Sequence, residues 1–498
     1  MKLVSKYLLF ISILFFVYFF LLLSLSSLPM NEFDGALRLL SQYYTSAGLV
    51  PYIDFGVVYP PGYFILIGYI FKYISIFQRN IIFSVFYAVI FYFYIKLFLS
   101  SIKGSKYEKL LKLSIFFISL TFITTHFFYY DLLSIIIIPI YLIFVFLKEK
   151  KYSKFLYILL FLIPFLRWDV AIIIFIVSSI DTFYSLIILK DKKYFNQSIF
   201  IPISILTGFV LLFLFLIFNS NLEKAYDFIV NIPTFVIKPY RNLPIPPFKF
   251  RPFENMMFYT TVLLIFAFIY TAYKFIKSVG IKKIIKYKNL RYIYIPLLLT
   301  IFLLPYFFGR ISFHHSIPIW YLIIIFLLIY TDKINKYVLF ISLVSFIPFI
   351  TYYKNNLKYF NFLPDNIQNI YDINSYDCSR FSEISADSIF VGRLSYNNFD
   401  YSNAYIYYLY KYLKPATPYI SDEPGIQDSC KYGEIIKNQL IKSEKPMLAF
   451  IATNPQTGFQ NIKLKSCGKI EKYLGNNKYQ MLGKCQSYNF DYEVRLYK

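Results

Sequence analysis

Apolar residues run along this chain in long blocks rather than alternating with polar ones. Stretches of 17 or more, nearly free of charge, recur from Tyr7 to about Tyr353. A soluble core needs apolar residues on one helical face only, whereas a helix in lipid needs them all round. The blocks 7–28, 80–101, 110–128, 131–148, 155–167, 169–190, 197–219, 257–276, 292–308, 315–330 and 337–353 predict about eleven spanning helices. The first follows Lys2 and Lys6 as a signal peptide would, but it is too long for an h-region and has no small-x-small cleavage site. It reads as a retained helix.

The polar residues between the blocks orient the bundle. With Lys2 and Lys6 inside, the inner loops carry Lys103, Lys106, Lys109 and Lys112, then Lys148, Lys150, Lys151 and Lys154, then Lys190, Lys192 and Lys193, then Lys282, Lys283, Lys286 and Lys288. Few acids accompany them, as the positive-inside rule requires. The formal charge of +24 is therefore topological, and nucleic acid is not among the expected partners. The run Pro60–Phe77 opens on Pro-Pro-Gly and makes a helix only about 24 Å long, short of a ~30 Å hydrocarbon core. Counting it as a span would invert every later loop, so it is placed in the outer interface, with Lys72 and its tyrosines at the headgroups.

From Lys354 the composition becomes polar and mixed. SIFVGRL at 388–394 and PMLAFIA at 446–452 read as strands, SNAYIYYLYKYL at 402–413 and the segment near 431–442 as helices. All four cysteines (Cys378, Cys430, Cys467 and Cys485) lie in this tail, which fits disulfides in an oxidising compartment, with three pairings open. The fold class is thus an all-α polytopic membrane bundle over 1–353, with an interfacial helix, followed by a small α/β extracytoplasmic domain over 354–498. The expected compartment is a bacterial inner (cytoplasmic) membrane, with the N-terminus cytoplasmic. Two long outer segments precede the tail, at 29–59 and at 220–255, and the second is a proline-rich loop.

Candidate chemistry clusters at the outer ends of the blocks. Glu32 and Asp34 stand just past the first span, Asp131 at the next outer turn, and Arg167 with Asp169 at the one after. The outer end of a later block carries Arg310 beside His314 and His315, and the proline-rich loop carries Lys238, Arg241, Lys249 and Arg251. A single acid at a helix end is ordinarily a polar rim. Several at one face of a bundle are functional candidates. No P-loop, dinucleotide fingerprint or HExxH motif is present.

Asp34, Gly48, VPYIDF and YPPG with Tyr59, then Asp131, LRWDV, GRISFHHSIP and YYLYKYLKPATPYISDEPGI at 407–426, together resemble the GT-C superfamily of polyprenyl-phosphate-sugar-dependent membrane glycosyltransferases. That superfamily includes protein O-mannosyltransferases and lipid A aminoarabinose transferases. Many relatives have Asp-Glu where this chain has Asp34-Gly35, with Glu32 two positions upstream. The resemblance implies transfer of a sugar from a polyprenyl-phosphate donor to a hydroxyl of a glycan, lipid or protein on the outer face. It implies Asp34 as general base with Glu32 and Asp131 nearby, and inversion at the sugar. Arg167, Asp169, Arg310, His315, Lys238, Arg241 and Tyr59 are the expected donor-phosphate and substrate contacts. A divalent metal ion is a possible cofactor, held by Asp34, Asp131 and Asp169 if the fold gathers them. The rival readings are a polysaccharide polymerase or O-antigen ligase and a lipid-linked glycan transporter. Neither gives a reason for Asp34 followed by VPYIDF and YPPG.

The orientation is testable by reporter fusion. Alkaline phosphatase inserted within 354–498 or 220–255 is expected to be active, and within 103–112 or 282–288 inactive; the reverse pattern would overturn the topology.

Overall fold

The computed structural model describes residues 34–62, 153–219, 221–237, 252–279, 291–309, 377–393, 404–420, 425–453, 467–487 and 490–498, together with Phe64, Gly68, Lys72, Tyr73, Gln78, Ile319, Leu322 and Ile323. They fall into two compact units, and the molecule is mostly helical with a small C-terminal sheet. Of the predicted spans, 7–28, 80–101, 110–128, 131–148 and 337–353 lie outside the described residues.

In chain order, α1 (Asp34–Ser46) belongs to the second unit, and the first holds α2 (Ser153–Leu166), α3 (Trp168–Phe183), α4 (Lys192–Ser198) and most of α5 (Phe200–Asn219). Then α6 (Leu222–Tyr226) returns to the second unit, and α7 (Pro252–Val279) and α8 (Arg291–Gly309) to the first. Five predicted blocks are therefore helical at nearly their expected limits. Two stretches, Trp168–Ile188 and Lys192–Asn219, are long and apolar enough to cross a membrane. Ile203, Leu206, Val210 and Phe213 on α5 are exposed, a face that suits a lipid surround better than water.

Within the first unit, α2 and α3 are separated by Arg167, whose extended backbone (φ −150°, ψ 93°) interrupts the helix. Where α5 crosses α2 the backbones nearly touch: a Cβ on Gly208 would stand 2.3 Å from the carbonyl oxygen of Phe161. Small residues at such crossings allow close approach in apolar surroundings, where hydrophobicity does not drive helices together. Asp181 on α3 is fully buried, and its carboxylate accepts the Tyr194 hydroxyl of α4 at 2.7 Å and the Tyr294 hydroxyl of α8. Those two bonds meet the cost of burying the polar group and tie three helices together.

The second unit holds α1, α6 with a π-helical continuation Asp227–Ile237, and the tail. The tail contributes β1 (Ser388–Arg393), α9 (Ala404–Leu409), β2 (Lys414–Pro415), α10 (Cys430–Lys442), β3 (Met447–Ala452), α11 (Lys469–Asn476), β4 (Tyr479–Ser487) and β5 (Phe490–Tyr497). The sheet order is β2-β1-β3-β5-β4, with β2, β1 and β3 parallel and β5 and β4 antiparallel. β1 and β3 are buried along their whole length, as continuous apolar runs in a doubly covered sheet should be. The disulfides pair Cys378 with Cys485 and Cys430 with Cys467, which selects one of the three possible arrangements.

Two expectations are modified. The segment 220–255, read as a loop, is helical over Leu222–Ile237, and α7 already begins at Pro252, a proline being well placed in a first helical turn. The helix expected over 402–413 ends at Leu409, and Lys414–Pro415 joins the sheet edge through pairing of Ser388 with Lys414.

Gly208→Val is expected to destabilise the protein by about 1–3 kcal/mol, because the added branch meets a backbone oxygen that cannot turn aside. Thermal unfolding in detergent measures it, and an unchanged midpoint would contradict the close crossing.

Candidate functional site

The segment that carries Asp34 is built on α1, which Asp34 opens. Its buried side bears Leu37, Leu40, Ser41, Gln42, Tyr44 and Thr45. The polar members satisfy themselves within the helix: Ser41 Oγ donates to the Leu37 carbonyl at 2.6 Å and Thr45 Oγ1 to the Ser41 carbonyl at 2.8 Å. The helix stops at Gly48, where the Leu49 N–H bonds the Tyr44 carbonyl and the Gly48 N–H the Thr45 carbonyl. This is a Schellman ending, and Gly48 takes the positive φ (+91°) that such an ending needs. Further on, Gly62, Phe64 and Gly68 are helical, and a Cβ on Gly68 would come within 2.9 Å of Thr45 Cβ.

The VPYIDF turn between them is closed by its own hydrogen bonds. Val50 N–H donates to Asp54 Oδ2 at 2.8 Å, so this acid serves the turn. Tyr52, at φ +69°, is fully buried; its N–H bonds the Phe55 carbonyl at 2.7 Å and its hydroxyl the Tyr59 carbonyl at 2.7 Å. Burial holds the Tyr52 hydroxyl well above the usual phenol pKa, so it remains a neutral donor. Tyr59, expected to contact substrate, thus uses its carbonyl to hold the turn, and its side chain is half-buried.

Three distant stretches lock together around this turn. The Gly56 N–H donates to the Pro418 carbonyl at 2.6 Å, and a Cβ on Gly56 would enter the Phe228 ring, 2.0 Å from its nearest atom. The Phe228 ring lies 5.0 Å from that of Tyr419 and 6.2 Å from that of Tyr52, and Tyr419 in turn packs edge-on to Tyr432 at 5.7 Å. α1 also packs on α9. Lys411, just beyond α9, places its ammonium over the rings of Tyr43 (5.5 Å) and Tyr408 (4.6 Å), and burial draws its pKa down. Lys414 pairs with Glu444 at 3.1 Å on an exposed surface, which is a solvated face.

Arg167 and Asp169 are brought together in the first unit. Arg167 Nε donates to Oδ1 at 2.8 Å and Nη2 to Oδ2 at 2.6 Å, a fork on the neighbouring carboxylate rather than on a ligand. Glu32, Asp131, Arg310, His315, Lys238 and Arg241 lie outside the described residues, and Asp34 is described only as the first residue of α1. Among the described residues no group of three His, Cys, Asp or Glu side chains is placed to hold a metal ion.

Two acids escape a reading by helix ends. Asp181 sits inside an apolar block, where a single carboxylate is itself the signal. Asp227 lies in the segment read as a loop. There it accepts the Tyr432 hydroxyl at 2.7 Å and the Asn231 amide at 2.6 Å, and the i,i+4 spacing of Asp227 and Asn231 in a helix was its signature.

Gly56→Ala is expected to cost about 1–3 kcal/mol, and Phe228→Leu in the same chain to recover part of it, measured as thermal midpoints of the single and double variants. Purely additive losses would mean that the two residues do not share space. No protein-family model, curated protein or solved structure matches the chain.

Proposed function

We propose that this chain is an integral membrane glycosyltransferase of about eleven spans that moves a sugar from a polyprenyl-phosphate donor to a hydroxyl on the extracytoplasmic face. The observation that carries the reading is the joint at Gly56. Asp34 to Tyr63, the one stretch whose likeness to the GT-C superfamily is specific, and the less specific match at 407–426 are far apart in sequence and meet through the Gly56 to Pro418 hydrogen bond and the packing of α1 on α9. Both stretches lie in one compact unit, as parts of a shared site would have to. The turn after α1, closed by its own hydrogen bonds, further supports it, since a group that must meet a reacting hydroxyl benefits from a fixed support.

In the reaction, Asp34 accepts the proton of the acceptor hydroxyl as that oxygen attacks the anomeric carbon. The bond from this carbon to the phosphate oxygen breaks, the electron pair leaves with the phosphate, and the configuration inverts. Arg310, Lys238 and Arg241 are the cations assigned to the departing polyprenyl phosphate, with His315 beside Arg310. Glu32 and Asp131 supply further negative charge where the sugar centre becomes cationic.

Membranes holding matched amounts of wild type, Asp34→Asn and Arg310→Ala are given radiolabelled polyprenyl-phosphate sugars. Asp34→Asn is expected to lose transfer by a factor of about 100 or more, and Arg310→Ala to lose less. Full activity in Asp34→Asn would overturn the mechanism. No transfer from any donor would favour the polymerase, ligase or transporter reading.

A further inference from the structure

The strongest unassigned constellation lies on the continuation of α6. Over Asp227–Ile237 the chain is π-helical, with Pro233 inside it, and the i→i+5 bonding sets residues four or five apart on one face. Single π-turns in helices are frequent at functional sites, and an eleven-residue run is long for one. Asp227, Asn231 and Phe235 form the stripe on this face. Asp227 Oδ1 accepts from Asn231 Nδ2 at 2.6 Å and from the Tyr432 hydroxyl at 2.7 Å, and Asn231 Nδ2 also reaches Tyr432 Oη at 3.0 Å. Tyr432 is buried, and burial together with Asp227 holds its hydroxyl above the usual phenol pKa, so it remains a donor.

One edge of the carboxylate–amide pair is thus pinned to α10. Among the described residues Asp227 Oδ2 and Asn231 Oδ1 make no hydrogen bond, and both side chains are half-buried, at a surface. Two large aromatic side chains near this pair in sequence are open: Tyr226, just before Asp227, is 57% exposed, and Phe235, four residues after Asn231, is 66% exposed. The acceptor oxygens suit hydroxyl donors, and the rings suit the C–H face of a sugar. A phosphate would be repelled by Asp227, and no three-residue metal set stands here among the described residues.

We infer that Tyr226, Asp227, Asn231 and Phe235 form a saccharide-binding subsite that takes ring hydroxyls of the acceptor. The acceptor role rests on the transferase reading; the binding itself does not. Tyr432 donates to Asp227 and packs edge-on to Tyr419, and the Cys430–Cys467 disulfide stands at the start of the helix that carries Tyr432.

The test is saturation-transfer NMR on the full chain in lipid nanodiscs with the methyl glycosides of glucose, galactose, mannose and N-acetylglucosamine. At least one is expected to receive saturation at its ring protons, with Asp227→Asn and Tyr226→Ala each weakening Kd about tenfold. Tyr226→Ala alters an exposed ring and keeps the test valid should Asp227→Asn disturb the fold. Binding in all variants alike, or no saturation of any of the four glycosides, would overturn the subsite. Loss of transfer reading with retained glycoside binding would overturn only the reaction.

Discussion

The second unit depends on the absence of a side chain at Gly56. Its N–H reaches the Pro418 carbonyl, and the space where a Cβ would stand is filled by the Phe228 ring, so residues from 34–62, from 222–237 and from the tail share one point of contact. Burying aromatic rings of the size of Phe228, Tyr52 and Tyr419 contributes about 1.5–3 kcal/mol each, and each ring pair about 0.5–1.5 kcal/mol more. Those contacts are long-range in sequence and form only when all three segments are in place. The tail therefore does not behave as an appendage: its helix α9 lies against α1, and its Tyr432 holds the acid of the π-helical segment.

Much of the helical framework was legible because an apolar block of spanning length has few alternatives. The blocks at 155–167, 169–190, 197–219, 257–276 and 292–308 all became helices within a few residues. The strands at 388–393 and 447–452 were legible for a related reason, since a short β-branched and aromatic run fits a buried parallel strand. Proline misled the reading of 220–255: six prolines suggested a loop, yet Pro233 sits within a π-helical run and Pro252 at a helix start, where a missing N–H costs little. β4 and β5 were not recognised. β4 is mostly exposed, with Lys484 and Gln486 along it, and its register shifts between Met481 and Gly483, which blurs alternation. Disulfide pairing was not legible at all, because only the fold decides which sulfurs meet.

The candidate site was partly legible for a different reason. Acids at block ends are visible in a string of letters, whereas acids whose role depends on a partner from another segment are not. Asp54 looked like part of a motif and serves its own turn through the Val50 N–H. Asp227 carried no motif, and its environment comes from Tyr432 in the tail. Arg167 and Asp169 looked like two site residues and are engaged with each other, so any ligand for that guanidinium must compete with a bidentate carboxylate.

The left-handed backbone at Tyr52 tightens this picture. A bulky residue there costs about 1–2 kcal/mol, and such strain persists only where its surroundings over-determine it. Here the N–H, the hydroxyl and the ring of Tyr52 are each held by a different partner: Phe55, Tyr59 and Phe228. Phe55 and Tyr59 are close to Tyr52 in sequence, and Phe228 comes from the π-helical segment and packs on Tyr419 of the tail. The turn that follows Asp34's helix therefore cannot relax without loosening its contacts to both other segments. A displacement at any one of the three has to be accommodated at Phe228, whose ring packs on Gly56, Tyr52 and Tyr419.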